Sequence, residues 1–377
     1  MVTKQVVNQG TMSGQAVIAP HITEFNQYGG IGLRATARPT LGCVIGQLGN
    51  KNQTGGTDYY TLTVDMDSPH FSCGAVKIPF LGHGLAFNPS HAGRAAVFEK
   101  RGQGACEIDL QTGRMLRAIP TAEERQFYGH GAYSPDGKLL YAAETLTHGS
   151  YQGVIMMRDA ETLEEIGEFP SYGARPHDCQ ILADGKTMII TNGGGLVTEQ
   201  EQGSITYVDI ATHKLIRKLT IDNKQFNAGH VAVADNGDIA VVSAPREGMN
   251  SKRNGGVTIG GIDRDLKTAT GPSNILNKMR GETLSVCIDD NHRTAAATTP
   301  DAGRITFWDL DTGELKHTIK VTHPRGVTLT QDKKHFIFSY DRPASKIGLV
   351  AVDTLAPVAG YDVDIAYTGS HIVAHSY

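Results

Sequence analysis

Histidines recur along this chain at a nearly constant spacing. His83, His130, His177 and His230 follow one another at intervals of 47, 47 and 53 residues, and His371 stands near the end of the sequence. Several neutral imidazoles that meet at one point form a donor set suited to copper, iron, zinc or nickel. Without an ion they would repel one another when protonated, and their buried lone pairs would be unpaired when neutral.

A sixth histidine extends this series with an offset. His323 lies two residues before Arg325, which takes approximately the position that histidine holds in five of the seven repeats, and Ser285 takes it in the remaining one. The spacing therefore predicts a copper or iron site formed by His83, His130, His177, His230, His323 and His371. Two alternatives stay open: the imidazoles cap turns or bond to neighbouring backbone, or the channel between them holds water or an organic ligand.

The elements that carry these histidines repeat along the chain. Four segments share one order of His, apolar strand, polar turn and second apolar strand: "HGLAFNPSHAGRAAVFEK" from 83, "HGAYSPDGKLLYAAE" from 130, "HDCQILADGKTMIITN" from 177 and "HVAVADNGDIAVVSAP" from 230. A third and a fourth strand follow, as in "SITYVDI" and "LIRKLTI". Four strands in about 40–50 residues are typical of one β-propeller blade.

These repeats predict an all-β fold, a seven-bladed β-propeller. Six blades run from about residue 82 to 363, and both ends of the chain supply the last blade: "SHIVAHSY" at the C-terminus and three strands from residues 41–80. A blade built from both termini closes the ring and removes sheet edges. We expect residues 1–30 to form an N-terminal arm and residues 31–377 to form a single propeller domain, with the histidines around one mouth of the central channel.

Composition excludes some classes of partner. The formal net charge is −4 and 20% of the 377 residues are charged, whereas a nucleic-acid binder usually has a basic face. No apolar run approaches the ~18 residues of a membrane-spanning helix, so we expect no membrane insertion. The N-terminal segment has no apolar stretch typical of a signal peptide. We expect a periplasmic protein if an export signal was removed and a cytoplasmic one otherwise; the oligomeric state stays open.

Several motifs are similar to those of a known family. "HGLAFNP", "FYGHGAYSPDGKLLYAAE", "HDCQILADGKTMIITNGGG" and "TTPDAGRITFWD" resemble a bacterial YVTN-like β-propeller family of uncharacterised function, over roughly residues 80–340. Its members are often exported and encoded beside imelysin-type iron-uptake proteins, so the resemblance implies a propeller associated with a metal. It also implies that the family's histidines and acidic residues correspond to His83, His130, His177, His230, Asp178 and Glu144.

Two further groups are similar in architecture alone. Carotenoid cleavage oxygenases hold an iron with four histidines on a propeller axis, and the propeller domain of nitrous oxide reductase holds a copper cluster with a ring of histidines. Both resemblances imply that axial imidazoles on this scaffold can support redox chemistry. A shared architecture alone does not show which of the two kinds of metal site this chain has.

Acidic, tyrosine and arginine side chains near the predicted channel could support the imidazoles. A ligating histidine usually donates its second N–H to a carboxylate or a carbonyl, and Glu144 ends a strand without an apolar role. The other acidic candidates are Asp178, Glu247, Glu282, Glu99 and Asp341. Tyr128 could shape a substrate pocket and Arg325 could hold an anionic substrate. The predicted catalytic residues are therefore Glu144, Tyr128 and Arg325.

The first functional hypothesis is a metal-dependent oxidoreductase that uses copper or iron and acts on a small molecule. The second is a metal-handling or iron- or copper-uptake accessory protein without turnover. An interaction scaffold and a lactonase-like hydrolase are the remaining alternatives, because propellers serve both purposes.

Overall fold

A computed structural model describes residues 41–68, 71, 73–149, 151–341, 345–361 and 363–375. The predicted N-terminal arm, residues 1–30, lies outside these ranges. Within them the chain forms 28 β-strands and one four-residue helix, α1 (Ser273–Leu276). None of the helical residues described forms a segment long and apolar enough to cross a membrane.

The strands belong to six sheets among the described residues. The first sheet contains β1 (Cys43–Lys51), β2 (Thr57–Asp65), β3 (Cys73–Ile78) and β28 (Ile372–His375). An eight-stranded sheet contains β4 (Gly82–Phe87), β5 (Arg94–Gly102), β6 (Ala105–Asp109), β7 (Arg114–Ala118), β8 (Arg125–Tyr133), β9 (Leu139–Leu146), β10 (Gln152–Asp159) and β11 (Glu165–Ala174). The third contains β12 (Pro176–Ile181), β13 (Thr187–Asn192), β14 (Ser204–Asp209) and β15 (Leu215–Thr220).

The remaining three sheets have four strands each. They contain β16 (Val231–Val233), β17 (Asp238–Ser243), β18 (Gly256–Gly261) and β19 (Arg264–Thr268); β20 (Ser285–Asp289), β21 (Thr294–Thr299), β22 (Arg304–Asp309) and β23 (Leu315–Lys320); and β24 (Val327–Leu329), β25 (His335–Tyr340), β26 (Ser345–Ala351) and β27 (Val363–Ile365). Strands that follow one another along the chain pair antiparallel within each sheet.

Two pairings modify this simple order. The eight-stranded sheet consists of β4–β7 and β8–β11, joined where Lys100 lies opposite Tyr128. The first sheet receives its inner strand from the far end of the chain, since Ile372 in β28 lies opposite Gly46 in β1. The predicted all-β architecture of repeated four-stranded antiparallel units, with almost no helix, is confirmed.

Aspartates close the hairpins between the third and fourth strands. Asp109, Asp159, Asp209 and Asp309 each end a third strand, and one carboxylate oxygen of each accepts the backbone N–H groups two and three residues later, at 2.7–3.1 Å. This local bonding supplies acceptors for turn N–H groups that have no partner in the sheet. The aspartate at the end of each third strand is therefore a turn residue.

The hydrophobic core lies between neighbouring four-stranded units. Phe98 of β5 packs with Phe127 of β8, and Trp308 of β22, which is fully buried, packs with Val242 of β17. The described residues form seven such clusters, and each joins two neighbouring four-stranded units. Both faces of each unit are thus covered, which buries the apolar side chains that alternate along its strands.

Tyr367 is expected to be important for stability because it attaches the last inner strand to the first sheet. Its ring is 1% exposed and its hydroxyl donates to the carbonyl of Val44 at 2.6 Å. Tyr367→Ala should lower the free energy of unfolding by about 3–5 kcal/mol. Tyr367→Phe, the matched control, keeps the ring and should cost only about 0.5–1.5 kcal/mol. Urea unfolding measures both, and equal losses would contradict this account.

Candidate metal centre

Bulges in the inner strands determine where the histidines point. His83 lies between Gly82 and Gly84, where the pairing of β4 with β5 shifts register. His177 lies within a similar shift between β12 and β13. A bulge leaves one residue out of the ladder and redirects its side chain. Because of these register shifts, the two imidazoles do not follow the regular alternation of side chains between the two faces of the sheet.

His130 is placed differently from the others. It lies inside β8 rather than at its start, because the first half of β8 also pairs with β5. Gly129 before it has φ +120, and a Cβ there would lie 2.5 Å from the His83 ring. A Cβ on Gly131 would lie 2.4 Å from a backbone oxygen. Glycine is therefore required on both sides of His130, which explains the "GHG" sequence.

The ring nitrogens of the histidines converge. Ligand atoms of His83, His130, His230 and His371 all lie within 4.8 Å of one another. The Nε2 atom of His230 is 3.2 Å from that of His83 and 3.1 Å from that of His130. His177 adds a fifth ring, since its Nε2 is 2.8 Å from the Nε2 of His230. We call these five residues the histidine cluster.

Backbone carbonyls determine the tautomers of two rings. His177 Nδ1 lies 2.9 Å from the carbonyl oxygen of Tyr128, and His230 Nδ1 lies 2.8 Å from that of Leu284. A carbonyl only accepts, so both Nδ1 atoms carry the proton and both Nε2 atoms present lone pairs. Their 2.8 Å contact is therefore no hydrogen bond between neutral rings. His371 Nε2 is also buried, without a hydrogen-bond partner among the described residues.

The electrostatic surroundings keep the cluster neutral. Burial lowers the pKa of His83, His177, His230 and His371 well below the usual value, and the neighbouring imidazoles lower it further. The pKa of His130 is also lowered by burial, although Asp178 acts in the opposite direction. Neutral imidazole is the form that binds metal ions. The cluster is thus ready to accept an ion without first losing protons at neutral pH.

Asp178 is the acidic residue that faces the cluster. Its Oδ1 lies 3.6 Å from Nδ1 of His130. Its Oδ2 accepts the backbone N–H of Val231 at 3.3 Å and the side-chain N–H of Gln180 at 3.2 Å. The carboxylate is buried and held in place. It can therefore orient His130 through Nδ1 and leave Nε2 directed at the other rings.

Glu144, the first catalytic candidate, lies in a different environment. It is fully buried, and its two oxygens accept hydrogen bonds from Arg158 at 2.7 Å and Thr121 at 2.9 Å. Burial raises the pKa of this carboxyl, and Arg158 and Thr121 act in the opposite direction. The described hydrogen bonds of Glu144 thus serve an ion pair inside its sheet. Its catalytic role remains a prediction.

Tyr128 and Arg325 both contact residues near the cluster. The Tyr128 ring lies edge-on to His177 at 5.9 Å between centroids, and burial raises the pKa of its hydroxyl. Arg325 donates from Nε to the carbonyl of Gly369 at 2.8 Å and from Nη2 to the hydroxyl of Ser370 at 3.1 Å. Arg325 therefore holds the segment that leads into His371.

His323, the sixth predicted ligand, is beside Arg325 rather than among the converging atoms. Its Nε2 lies 3.5 Å from Nη1 of Arg325, and the four-histidine group does not include it. Its backbone φ is +47, in the left-handed region. The structure thus brings five of the six predicted imidazoles together, and the ligand role of all six remains a prediction.

The other acidic candidates make contacts of their own. Glu247 lies 3.4 Å from Arg101 and 3.6 Å from Arg175. Glu99 accepts the backbone N–H of Gly104 at 2.9 Å. Asp341 donates its backbone N–H to the carbonyl of Thr322. The described contacts of these residues lie outside the cluster.

Lys100 is a site residue that the sequence did not reveal. It follows Glu99 near the end of β5, and its ammonium lies 3.9 Å from the carboxylate of Glu282. Its charge contributes to the lowered pKa of His83, His130, His177 and His371. Burial lowers the pKa of Lys100 itself. A lone lysine in "FEKRGQG" carries no pattern, so only the pairing of β5 with β8 places it near the cluster.

The fold and the site together define an all-β, propeller-like protein with a histidine cluster that could bind a metal ion. The chain belongs to the family described as "Protein of unknown function (DUF1513)", which matches residues 76–358. None of the curated proteins matches the chain.

Two solved structures illustrate the fold. Hydrazine synthase of Kuenenia stuttgartiensis is similar with a TM-score of 0.62 and 15% identity, over 87% of this chain and 100% of that chain. A hypothetical selenium-binding protein from Sulfolobus tokodaii is similar with a TM-score of 0.65 and 11% identity, over 90% of this chain and 94% of that one. At these identities the similarity shows the fold alone.

The metal-free protein should lose stability as the pH falls below 6.5, the ordinary histidine value. Burial keeps the folded-state pKa of the cluster below that of the unfolded chain. The unfolded chain therefore binds more protons in this window, and each imidazole contributes up to about 1.4 kcal/mol per pH unit. Urea midpoints across this range test the slope. His83→Ala should reduce it, whereas His148→Ala, at an exposed position, should leave it unchanged; a flat wild-type profile would contradict the prediction.

Glu144→Gln should destabilise the protein without changing its metal content. The substitution removes the negative charge beside the buried Arg158 guanidinium. The free energy of unfolding should fall by about 3–5 kcal/mol as a result. Glu165 also contacts Arg158, at 3.0 Å, but is partly exposed, so Glu165→Gln should cost less than about 1 kcal/mol. Unfolding and metal analysis are measured on both variants. Lost metal binding at unchanged stability would instead connect Glu144 to the cluster.

Proposed function

We propose that the histidine cluster binds a copper or iron ion through its converging Nε2 atoms. The observation that carries this proposal is the environment of His230. Its Nδ1 donates to Leu284, while its Nε2 lies 2.8–3.2 Å from three other Nε2 atoms. Buried lone pairs that face one another are costly. A cation between them converts this repulsion into coordination.

The donor set supports a transition metal. The group of converging ligand atoms among the described residues consists of imidazole nitrogen alone, and such donors suit copper, iron, zinc and nickel better than calcium or magnesium. The cluster supplies no charge of its own. We propose copper or iron, because either ion would supply the one-electron chemistry of an oxidoreductase.

The scaffold we propose is a closed ring of seven blades formed by residues 31–377. Seven hydrophobic clusters support it, because each joins two neighbouring four-stranded units. One of them joins the unit β24–β27 to the sheet of β28 and β1. A closed ring brings inner strands from distant parts of the chain to one axis.

A metal-handling protein without turnover is the second candidate function. The specific observation in its favour is the presence of five imidazoles, since the Nε2 of His177 lies nearer to that of His230 than the Nε2 atoms of His83 and His130 do. Five nitrogen ligands leave little room for a substrate on the ion. The proposed association with imelysin-type iron uptake would suit this function.

Metal loading tests the proposal. The wild-type chain should bind copper or iron stoichiometrically after reconstitution, and elemental analysis measures this directly. His130→Ala and His371→Ala should each weaken metal binding by at least about 100-fold. His148→Ala, on an exposed loop, is the matched control and should bind like wild type. Substoichiometric loading of correctly folded wild-type protein would reject the metal centre.

Spectroscopy on the loaded protein separates the two candidates. An electron paramagnetic resonance signal that disappears with reductant and returns with O₂ would support an oxidoreductase. A bound ion whose signal responds to neither would support metal handling. Both readouts use the same preparation as the loading experiment.

A further inference from the structure

A cavity of about 390 Å³ lies in the channel next to the histidine cluster. The four-histidine group lines one part of it, and the residues that follow these histidines line much of the rest. Its volume is within the range of about 300–1,000 Å³ that small-molecule sites occupy. The cavity therefore gives a ligand direct access to the ring nitrogens.

The walls of this cavity mix aliphatic and polar side chains and carry little charge. Inner strands of several sheets contribute aliphatic side chains, such as Leu85, Val233, Val286 and Ile372. Among the described residues that line it there is no lysine or arginine, and Asp178 is the one acidic residue. The described contacts of Asp178 are with His130, Gln180 and the backbone of Val231, so its charge is already engaged.

Basic side chains lie on the other side of the histidines. Gly82, which precedes His83, lies opposite Glu99, and Lys100 comes one residue later. Leu85, which lines the cavity, follows His83 along the same strand. His83 thus separates Lys100 from the cavity.

The same division holds at β24. Arg325 precedes the strand and bonds to the segment before His371, whereas Val327 and Thr328 within the strand line the cavity. The two approaches to the cluster therefore differ in charge: Lys100 and Arg325 lie on one side, whereas no lysine or arginine lines the cavity on the other.

We propose that this cavity is the ligand chamber of the metal centre, and that it takes a small molecule with a donor atom and an uncharged body. The inference rests on the proposed metal centre. The donor atom reaches the ion, and the body fills the channel between the walls. A ligand with a carboxylate at its far end would bring a negative charge into a cavity whose lining offers no lysine or arginine as a counter-ion, which is unfavourable.

Two pyridines of matched shape test the chamber. 4-Methylpyridine is neutral at pH 8, and isonicotinate has a carboxylate in place of the methyl group. Each is titrated into the copper-loaded full chain, and binding is measured by visible and electron paramagnetic resonance spectra. After correction for their relative affinities for copper–imidazole complexes in solution, 4-methylpyridine should bind at least about tenfold more tightly. Equal affinities, tighter binding of isonicotinate or no binding of 4-methylpyridine would overturn the proposal.

Variants of Thr328 change the wall of the cavity and leave the metal ligands unchanged. They therefore test the cavity independently of the intrinsic affinity of copper for each pyridine. Thr328→Lys places a cation among the walls and should shift the affinity ratio towards isonicotinate by at least about tenfold. Thr328→Val keeps the walls uncharged and should preserve the wild-type ratio. Leu116→Lys adds the same charge at an exposed site on β7 and should also preserve it. An unchanged ratio in Thr328→Lys would place the ligand elsewhere.

Ligand binding to the metal-free chain distinguishes a failure of this inference from a failure of the proposed function. Saturation-transfer NMR should detect contacts of the protein with 4-methylpyridine and weaker contacts with isonicotinate. If copper fails to load but this preference persists, the metal centre is wrong and the chamber remains. If copper loads stoichiometrically and both pyridines bind equally, the metal centre remains and the chamber is wrong.

Discussion

Crowding of imidazole nitrogens is the interaction on which the rest of this structure depends. His230 has three other ring nitrogens within 3.2 Å of its Nε2, and backbone carbonyls fix the outer N–H groups of His177 and His230. Such an arrangement is unfavourable unless the surrounding sheets hold it rigidly. The bulges in β4 and β12 and the two glycines around His130 supply the close approach that the rings require.

The groups that face the Nδ1 atoms differ from one ring to another. The imidazoles therefore differ in their strength as ligands. His177 and His230 bond to neutral carbonyls, whereas His130 faces the carboxylate of Asp178. A carboxylate partner makes an imidazole more basic than a carbonyl partner does. Other carboxylates near the channel lie beside cations: Glu144 beside Arg158, Glu247 beside Arg101, and Glu282 beside Lys100. Each of these three pairs brings opposite charges together and so adds little net charge.

Repetition made much of the architecture predictable from the sequence. A histidine at the equivalent position in five of the seven predicted blades indicated that distant imidazoles would meet, because equivalent positions in repeated units face one axis. The sequence did not predict that β8 begins at Arg125, since that depends on pairing with β5. Nor did it predict the partner of Glu144: Arg158 lies inside an apolar strand, and only packing decides which carboxylate reaches it. Lys100 was missed for the same reason.

The position of His371 has a consequence for how the protein assembles. This residue precedes β28, which pairs with β1 at the opposite end of the described chain. Translation must therefore proceed through residue 371 before the set of imidazoles is complete. An ion cannot nucleate early, co-translational folding through the full cluster. An ion that used the full cluster would enter only after β28 has paired with β1.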